Sequence, residues 1–126
     1  MVVAIADVSH YVSPGDALDV EAQARGNSVY FPRRVIPMLP EALSNELCSL
    51  KPKVDRLTKC VEFVLTDDGD VVGAKFHSAI IHSQRRFTYP EALAILERVP
   101  SEDPIEQMLH QANQLAQRLR RRRFQA

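Results

Sequence analysis

The sequence predicts an α+β fold, built on a twisted, largely antiparallel sheet with a β-hairpin and several helices. Segments rich in Val and Ile with apolar and polar residues in alternation occur near the N-terminus and again between residues 60 and 83, as is typical of strands. The second of these segments is interrupted by Asp67, Asp68, Gly69 and Asp70, which is a hairpin signal. Further along, apolar residues recur at intervals of three or four positions, which indicates helices.

Length and composition limit the chain to one domain with a modest core, since it has 126 residues of which 45% are hydrophobic. Lys and Arg number 16 and so do Asp and Glu, so any binding to nucleic acid must come from local clusters of charge. The two cysteines, Cys48 and Cys60, are too few for a secreted disulfide framework. A reducing, cytoplasmic location is therefore expected.

The N-terminus predicts neither a secretory signal nor a membrane anchor. The apolar opening lacks a basic start and soon meets Asp7, which argues against a signal peptide. No apolar run approaches the roughly 18 residues of a membrane span. We therefore expect a soluble protein without membrane contact.

The first half of the chain combines strands with short helices. Residues Met1 to Val12 read as a strand that leads into a turn at residues 13–15. Asp16 is a candidate N-cap for a helix that stops at Gly26, where a left-handed residue costs little. Residues 28–31 then form a short β segment.

The proline-rich stretch after this segment predicts irregular structure. Pro32, Pro37 and Pro40 lack backbone donors and should keep the chain out of regular ladders. The interpretation is a rigid loop that lasts until a second short helix over Pro40 to Leu47.

From Val54 onwards the pattern predicts a hairpin followed by two helices. We expect one face of the hairpin to pack against other residues and the other face to contact water. Alternation places six residues of the second strand on the same face: Val72, Ala74, Phe76, Ser78, Ile80 and His82. Thr88 and Pro90 open a helix, and a longer amphipathic helix follows Pro104 and ends in basic residues.

Four sequence blocks carry a resemblance to a known family. They read IADVSHYV near the start, SVYFP at Ser28–Pro32, VIPMLP at Val35–Pro40 and LSNELCSLKPKVDRL at Leu43–Leu57. In this order and spacing they resemble the catalytic domain of the ribonuclease II and ribonuclease R family, the RNB domain. The likeness covers essentially the whole chain, residues 1–126, but only a central slice of that domain. The resemblance thus implies a single partial RNB domain.

The resemblance also implies an activity, a cofactor and a partner. Members of the family are exoribonucleases that hydrolyse single-stranded RNA processively in the 3′→5′ direction to nucleoside 5′-monophosphates. They use Mg²⁺, which prefers oxygen ligands, and hold it with four aspartates immediately upstream of the block that begins here at Ile5. Those aspartates, and the downstream Arg and Glu that contact the scissile phosphate, are absent from this sequence. No catalytic or metal-binding residue is therefore expected in this chain, and the chain alone should be inactive.

Tyr30 is the leading candidate for substrate binding. An arbitrary strand tyrosine would usually pack in a core. The resemblance instead implies that Tyr30, in SVYFP, lines the end of the RNA channel and stacks on the 3′-terminal nucleotide, a contact that tolerates any base. Arg33 and Arg34 follow this motif on an exposed loop, where they are either solvated charges or phosphate contacts beside the stacked base.

A run of arginines near the C-terminus allows two interpretations. It consists of Arg118, Arg120, Arg121, Arg122 and Arg123. The run is a candidate for RNA phosphate contacts, yet cations also favour the C-terminal end of a helix. We expect no stacking residue to interleave with these arginines, so both interpretations stay open.

Three other residues suggest chemistry but have simpler roles open to them. Asp7 and His10 lie three positions apart, a spacing that suggests a metal or acid–base pair, whereas a turn carboxylate and a surface imidazole are the ordinary alternative. The resemblance to the family makes Asp7 a neighbour of the catalytic centre and not a ligand. Cys48 lacks a general base at a recognisable spacing, which favours a small buried hydrophobe over a nucleophile.

Two other classes of function are alternatives to the exoribonuclease. One is a non-catalytic RNA-binding or protein-interaction module that retains the RNB scaffold. The other is a stand-alone α+β domain whose basic terminal helix binds an acidic partner. We also expect self-association, because a slice of a larger domain should expose apolar surface.

Overall fold

The computed structural model describes residues 1–125 and confirms the mixed class of helices and antiparallel strands. Its strands and helices follow one another in this order: β1 (Val2–Ala6), α1 (Ala17–Arg25), β2 (Val29–Phe31), β3 (Arg34–Ile36), β4 (Asp55–Leu65), β5 (Val71–His82), α2 (Tyr89–Leu96) and α3 (Pro104–Gln125). Two shorter helical segments have a different pitch: a 3₁₀ turn at Val8–His10 and a π-helix at Ala42–Leu47. No helix among the described residues has both the length and the apolar character needed to cross a membrane.

The larger sheet has three strands in the order β1-β4-β5. Met1 and Phe63 exchange two hydrogen bonds, of 2.9 and 2.7 Å, and the Asp7 N–H donates to the Leu57 carbonyl at 2.9 Å. Residue numbers increase along β1 while the numbers of the paired residues decrease along β4, so these two strands are antiparallel. β1 and β4 are therefore neighbours although residues 7–54 separate them in sequence.

β4 and β5 form the predicted hairpin. The turn between them is closed by hydrogen bonds from the Thr66 N–H to the Asp70 carbonyl and from the Gly69 N–H to the Thr66 carbonyl, each 3.0 Å. Gly69 has φ +88°, a left-handed conformation that glycine adopts without strain. The turn signal in the sequence is confirmed.

As expected, one face of β5 is more covered than the other. The alternation is present, but its apolar face is the uncovered one: Phe76 is 75% exposed and Ile80 is 67% exposed. Ala79 and Ile81, on the other face, are more covered. Hydrophobicity shows which residues share a face, while burial depends on which face meets another element.

The segment expected to be a rigid loop contains a strand instead. β3 pairs antiparallel with β2, with Tyr30 opposite Val35 and Phe31 opposite Arg34. Pro32 lies in the turn, where no ladder donor is required, and Pro37 follows the end of β3. The prolines therefore bound this small hairpin and do not disrupt it.

The caps of α1 are confirmed. Asp16 Oδ1 accepts a hydrogen bond from the Asp19 N–H at 2.8 Å, which satisfies one of the free donors at the helix N-terminus. Gly26 ends the helix with φ +73°.

The short helix expected over Pro40 to Leu47 is also present, as the π-helix with Leu43 buried.

α2 and α3 pack against each other. Thr88 and Glu91 form a reciprocal capping box at the start of α2, and Ile95 of this helix is buried. Near the start of α3, buried Glu106 accepts hydrogen bonds from Arg98 and Ser101, both at 2.6 Å. Local polar contacts thus fix where both helices begin.

The described chain forms two compact units. One comprises Val2–Val61 and Phe76–Ser83, and the other comprises Met1, Glu62–Lys75 and the chain from Gln84. Two of their boundaries fall inside β4 and β5, and another follows Ser83, between β5 and α2. That the chain is one partial domain stays a prediction, and Ala126, its last residue, lies outside the described residues.

Candidate functional site

The β2–β3 hairpin presents Tyr30 to solvent. The Tyr30 side chain is 77% exposed, so this tyrosine is not a core residue in the described structure. The base of the hairpin is held by two contacts: the Met38 N–H donates to Ser28 Oγ at 2.9 Å, and the Arg25 guanidinium donates to the Pro37 carbonyl at 3.0 Å. A flat aromatic ring on a tied hairpin is a surface on which a planar ligand can stack.

The two arginines of the motif do not share one face with Tyr30. Tyr30 pairs with Val35, whereas Arg34 pairs with Phe31, and adjacent residue pairs point to opposite sides of a ribbon. Arg33 lies in the turn. Both arginines are exposed, and neither has an ion-pair partner among residues 1–125. The structure thus puts Arg33 at the tip and Arg34 on the side opposite Tyr30.

The arginine run lies on α3, and two of its members contact the β4–β5 turn. The Arg118 guanidinium donates to the Asp67 carbonyl at 2.6 Å. Arg122 donates to the Asp68 carbonyl at 2.9 Å and to Asp70 Oδ1 at 2.7 Å. The hydrogen bond from Arg122 to the Asp70 carboxylate raises the pKa of the guanidinium. These two arginines therefore hold the turn, which sequence spacing gave no means to foresee.

No aromatic residue interleaves with the arginines, but one follows them and contacts Arg120. The Arg120 guanidinium lies 5.9 Å from the centroid of the Phe124 ring, within the range of a cation–π contact. Phe124 is 77% exposed. It follows the run directly in sequence, and its position four residues after Arg120 was the signal that could have revealed it.

Asp7 acts as a turn carboxylate at the end of β1. It accepts a hydrogen bond from Ser9 Oγ at 2.6 Å and lies 3.1 Å from Lys59 Nζ. The His10 ring packs edge-on against Tyr11, with centroids 5.0 Å apart. Asp7 and His10 are joined by a backbone hydrogen bond from the His10 N–H to the Asp7 carbonyl, 3.2 Å long, and not by their side chains.

The described residues offer no metal site, and Cys48 is not an activated thiol. Across residues 1–125, no three His, Cys, Asp or Glu side chains converge closely enough to hold an ion. Burial raises the pKa of the half-buried Cys48 thiol, which disfavours the thiolate needed for nucleophilic attack. The magnesium implied by the resemblance does not fit the residues of this segment.

Comparison with known proteins identifies the scaffold that carries the exposed hairpin. The family model of the RNB domain matches residues 1–126, so the chain belongs to the RNB domain family. Ribonuclease R of Acidithiobacillus ferrooxidans is 62% identical to it over 96 residues, which are 76% of this chain and 22% of that protein. Ribonuclease R of Escherichia coli K12 is 55% identical over 95 residues, which are 75% of this chain and 12% of that protein.

Solved structures show the same fold. RNase R of Mycoplasma genitalium in complex with double-stranded RNA has a TM-score of 0.89 and 35% identity, and the match covers 97% of this chain and 22% of that one. Yeast Ssd1, described as a pseudonuclease, has a TM-score of 0.77 at 19% identity over 93% of this chain and 14% of that one. The chain thus spans about a fifth or less of the length of these relatives.

Proposed function

We propose that this chain is part of a 3′→5′ exoribonuclease, in which it provides scaffold and one wall of the channel for single-stranded RNA. The observation that carries the proposal is the exposure of Tyr30, 77% of its surface, on the SVYFP hairpin of a chain that is 62% identical to a ribonuclease R. The complete protein then shortens RNA processively to nucleoside 5′-monophosphates. The RNA bound in the Mycoplasma genitalium complex supports RNA as the partner.

The role of Tyr30 in this proposal is to hold the 3′-terminal base by stacking. Stacking uses the π-face that every base has, so the contact suits an enzyme that shortens RNA of any sequence. The hydrogen bonds at Ser28 and Pro37 hold the backbone of the hairpin that carries Tyr30 in place before RNA binds. This lowers the entropy lost on binding. Arg33, at the tip, is the nearer of the two candidate phosphate contacts in sequence, and Arg34 reaches RNA only from the other side of the ribbon.

The chain contributes positioning and no metal chemistry to this activity. Its residues 1–125 contain no carboxylate cluster for a metal, and we assign any magnesium of the complete protein to residues elsewhere in its RNB domain. The free Cys48 and Cys60 thiols are consistent with the reducing cytoplasm, which we propose as the location.

Variants of Tyr30 in the complete protein test the proposal. Removing an aromatic platform costs on the order of 1–3 kcal/mol of binding per stacked base, and this loss matters most for short RNAs that make few other contacts. Tyr30→Ala should therefore stop degradation at a longer residual oligonucleotide, while long RNA is still shortened. Tyr30→Phe keeps the ring and should keep the wild-type end product. Product lengths are read on a denaturing gel.

A matched control comes from the same strand. Phe31 is 54% exposed and pairs with Arg34 on the opposite face of the ribbon, so Phe31→Ala should leave the end product unchanged. If Tyr30→Ala also left the end product unchanged and only lowered thermal stability, the ring would be a packing residue. If the complete protein released no nucleotides at all, a non-catalytic RNA-binding module with the RNB scaffold would replace the exoribonuclease.

A further inference from the structure

The arginines at the end of α3 divide into two sets by helical geometry. Residues three or four positions apart lie on the same side of a helix. Arg118 and Arg122 form one set. Arg120, Arg123 and Phe124 form the other, on a different side of the helix. The sequence of the run alone does not separate them, since nearly every position carries the same charge.

The first set is already engaged. Arg118 and Arg122 donate to the carbonyls of Asp67 and Asp68 and to the Asp70 carboxylate. A Cβ placed on Gly69 would lie 2.9 Å from Leu119 Cδ2, so the turn approaches α3 closely at this point. These arginines are committed to the turn and are poorly available to a ligand.

The second set is open to solvent and carries both features that single-stranded RNA requires. It lines a shallow, open groove of about 400 Å³, whose walls are Ala116, Leu119, Arg120, Arg123 and Phe124. Neither Arg120 nor Arg123 has a carboxylate partner within residues 1–125. The Phe124 ring is 77% exposed, and the Arg120 guanidinium lies over it, 5.9 Å from the ring centroid. Two cations without a carboxylate partner among the described residues therefore lie next to an exposed aromatic ring.

We propose that this groove, the Phe124 groove, is a second contact site for single-stranded RNA, with Arg120 and Arg123 on phosphates and a base stacked on Phe124. The inference rests on the proposed function, from which it takes RNA as the ligand. Guanidinium groups bind phosphate oxygens, and aromatic rings stack on bases of any sequence. An acidic protein surface would bind the two cations but would not need the exposed phenyl ring. Single-stranded RNA would contact both, so RNA is the favoured occupant.

Salt-dependent binding of this 126-residue chain to a fluorescent single-stranded RNA tests the inference. The affinity for single strands falls with salt at a log–log slope of about −0.7 per phosphate contact. The double variant Arg120→Gln with Arg123→Gln should therefore lose about 1.4 from the magnitude of that slope. Phe124→Leu, which keeps apolar bulk without a π-face, should weaken binding on the order of tenfold without changing the slope.

Other arginines of the same run supply the controls. Arg121→Gln removes one charge from the same turn of α3 but from neither set, and it should change the slope little. Arg118→Gln with Arg122→Gln should lower the melting temperature and leave the slope unchanged. The inference is wrong if this last pair shifts the slope as much as the Arg120 and Arg123 pair does, or if the chain binds no RNA.

Competition with polyglutamate distinguishes RNA from an acidic protein as the occupant of the groove. Equal competition against the wild type and Phe124→Leu, with no loss of RNA affinity in that variant, would overturn the inference in favour of an acidic protein partner. The proposed function is judged separately, by the end product of Tyr30→Ala in the complete protein. Failure of the Phe124 groove leaves that result untouched.

Discussion

Lys59 and Asp7 form an ion pair that ties neighbouring strands together, with Lys59 Nζ 3.1 Å from Asp7 Oδ2. Lys59 also donates to Ser78 Oγ on β5 at 2.8 Å, and Asp7 accepts from Ser9 Oγ at 2.6 Å. Asp7 is only 8% exposed, and a carboxylate so placed requires partners for its charge. This polar chain therefore fixes the turn that follows β1 against the sheet.

This arrangement predicts acid sensitivity. The hydrogen bond from Ser9, together with Lys59, holds the pKa of Asp7 below its ordinary value. Because the folded-state pKa is the lower one, the stabilisation is present above the ordinary carboxyl pKa of about 4 and is lost as the pH falls below it. Asp7→Asn should lower the free energy of unfolding near neutral pH and flatten its decline in acid.

Urea unfolding at several pH values measures this effect. Glu102→Gln, at an exposed carboxylate, is the control and should behave as the wild type does. An Asp7→Asn protein whose stability declined in acid as steeply as that of the wild type would show that other carboxylates control the transition.

The capping box of α2 predicts a second stability effect. Thr88 Oγ1 accepts from the Glu91 N–H at 3.4 Å, and Glu91 Oε2 accepts from the Thr88 N–H at 2.7 Å. Thr88→Ala removes the N-cap acceptor and should cost about 1 kcal/mol of unfolding free energy, measured by urea titration. Thr88→Ser retains the hydroxyl and should be nearly neutral. A fully stable alanine variant would mean that packing against α3 alone holds this helix.

The isolated chain should not hydrolyse RNA. Residues 1–125 hold no cluster of metal-binding side chains, so we expect no mononucleotides after incubation with single-stranded RNA and Mg²⁺, and no rise in melting temperature on adding Mg²⁺ alone. A mock purification controls for contaminating nuclease. Mononucleotide release that increases with the amount of chain, and that the mock lacks, would refute this prediction.

The uncovered face of the sheet predicts self-association. Ile5, Phe76 and Ile80 are 61%, 75% and 67% exposed, and burial of such apolar surface gains roughly 25 cal/mol per Å². We expect the molar mass measured by light scattering to rise with concentration, and Phe76→Ser with Ile80→Ser to suppress the rise. Val20→Ser, at a 59% exposed position on α1, should not suppress it. A strictly monomeric wild type would contradict the prediction.

Features that depend on local chemistry were predictable from the sequence. The cap at Asp16, the stop at Gly26 and the turn at Gly69 follow from a few neighbouring residues, and all three are confirmed. β3 was not predictable because Pro32 and Pro37 indicate a break in pairing, although at the ends of a hairpin they remove no needed donor. The exposed face of β5 was not predictable because the pattern does not tell which face meets another element.

The residues of the candidate site also divide into those that the sequence could identify and those that it could not. Tyr30 could be selected because its motif is contiguous in sequence. That Arg118 and Arg122 contact the β4–β5 turn could not be foreseen, since their partners lie 51 to 54 positions away. Phe124 was not predicted as a partner of the run, because it lies a helical turn beyond Arg120 and not between the arginines.

The hydrogen bonds between Arg122 and the turn also bear on the order of folding. They join residues 52 and 54 positions apart, whereas β4 and β5 are joined by only residues 66–70. The entropy lost on closing a loop grows with its length, so the hairpin should close first and present the turn as a preformed template. The last turns of α3 then dock on it late, and weakening the Arg122 contacts should speed unfolding while leaving the folding rate nearly unchanged.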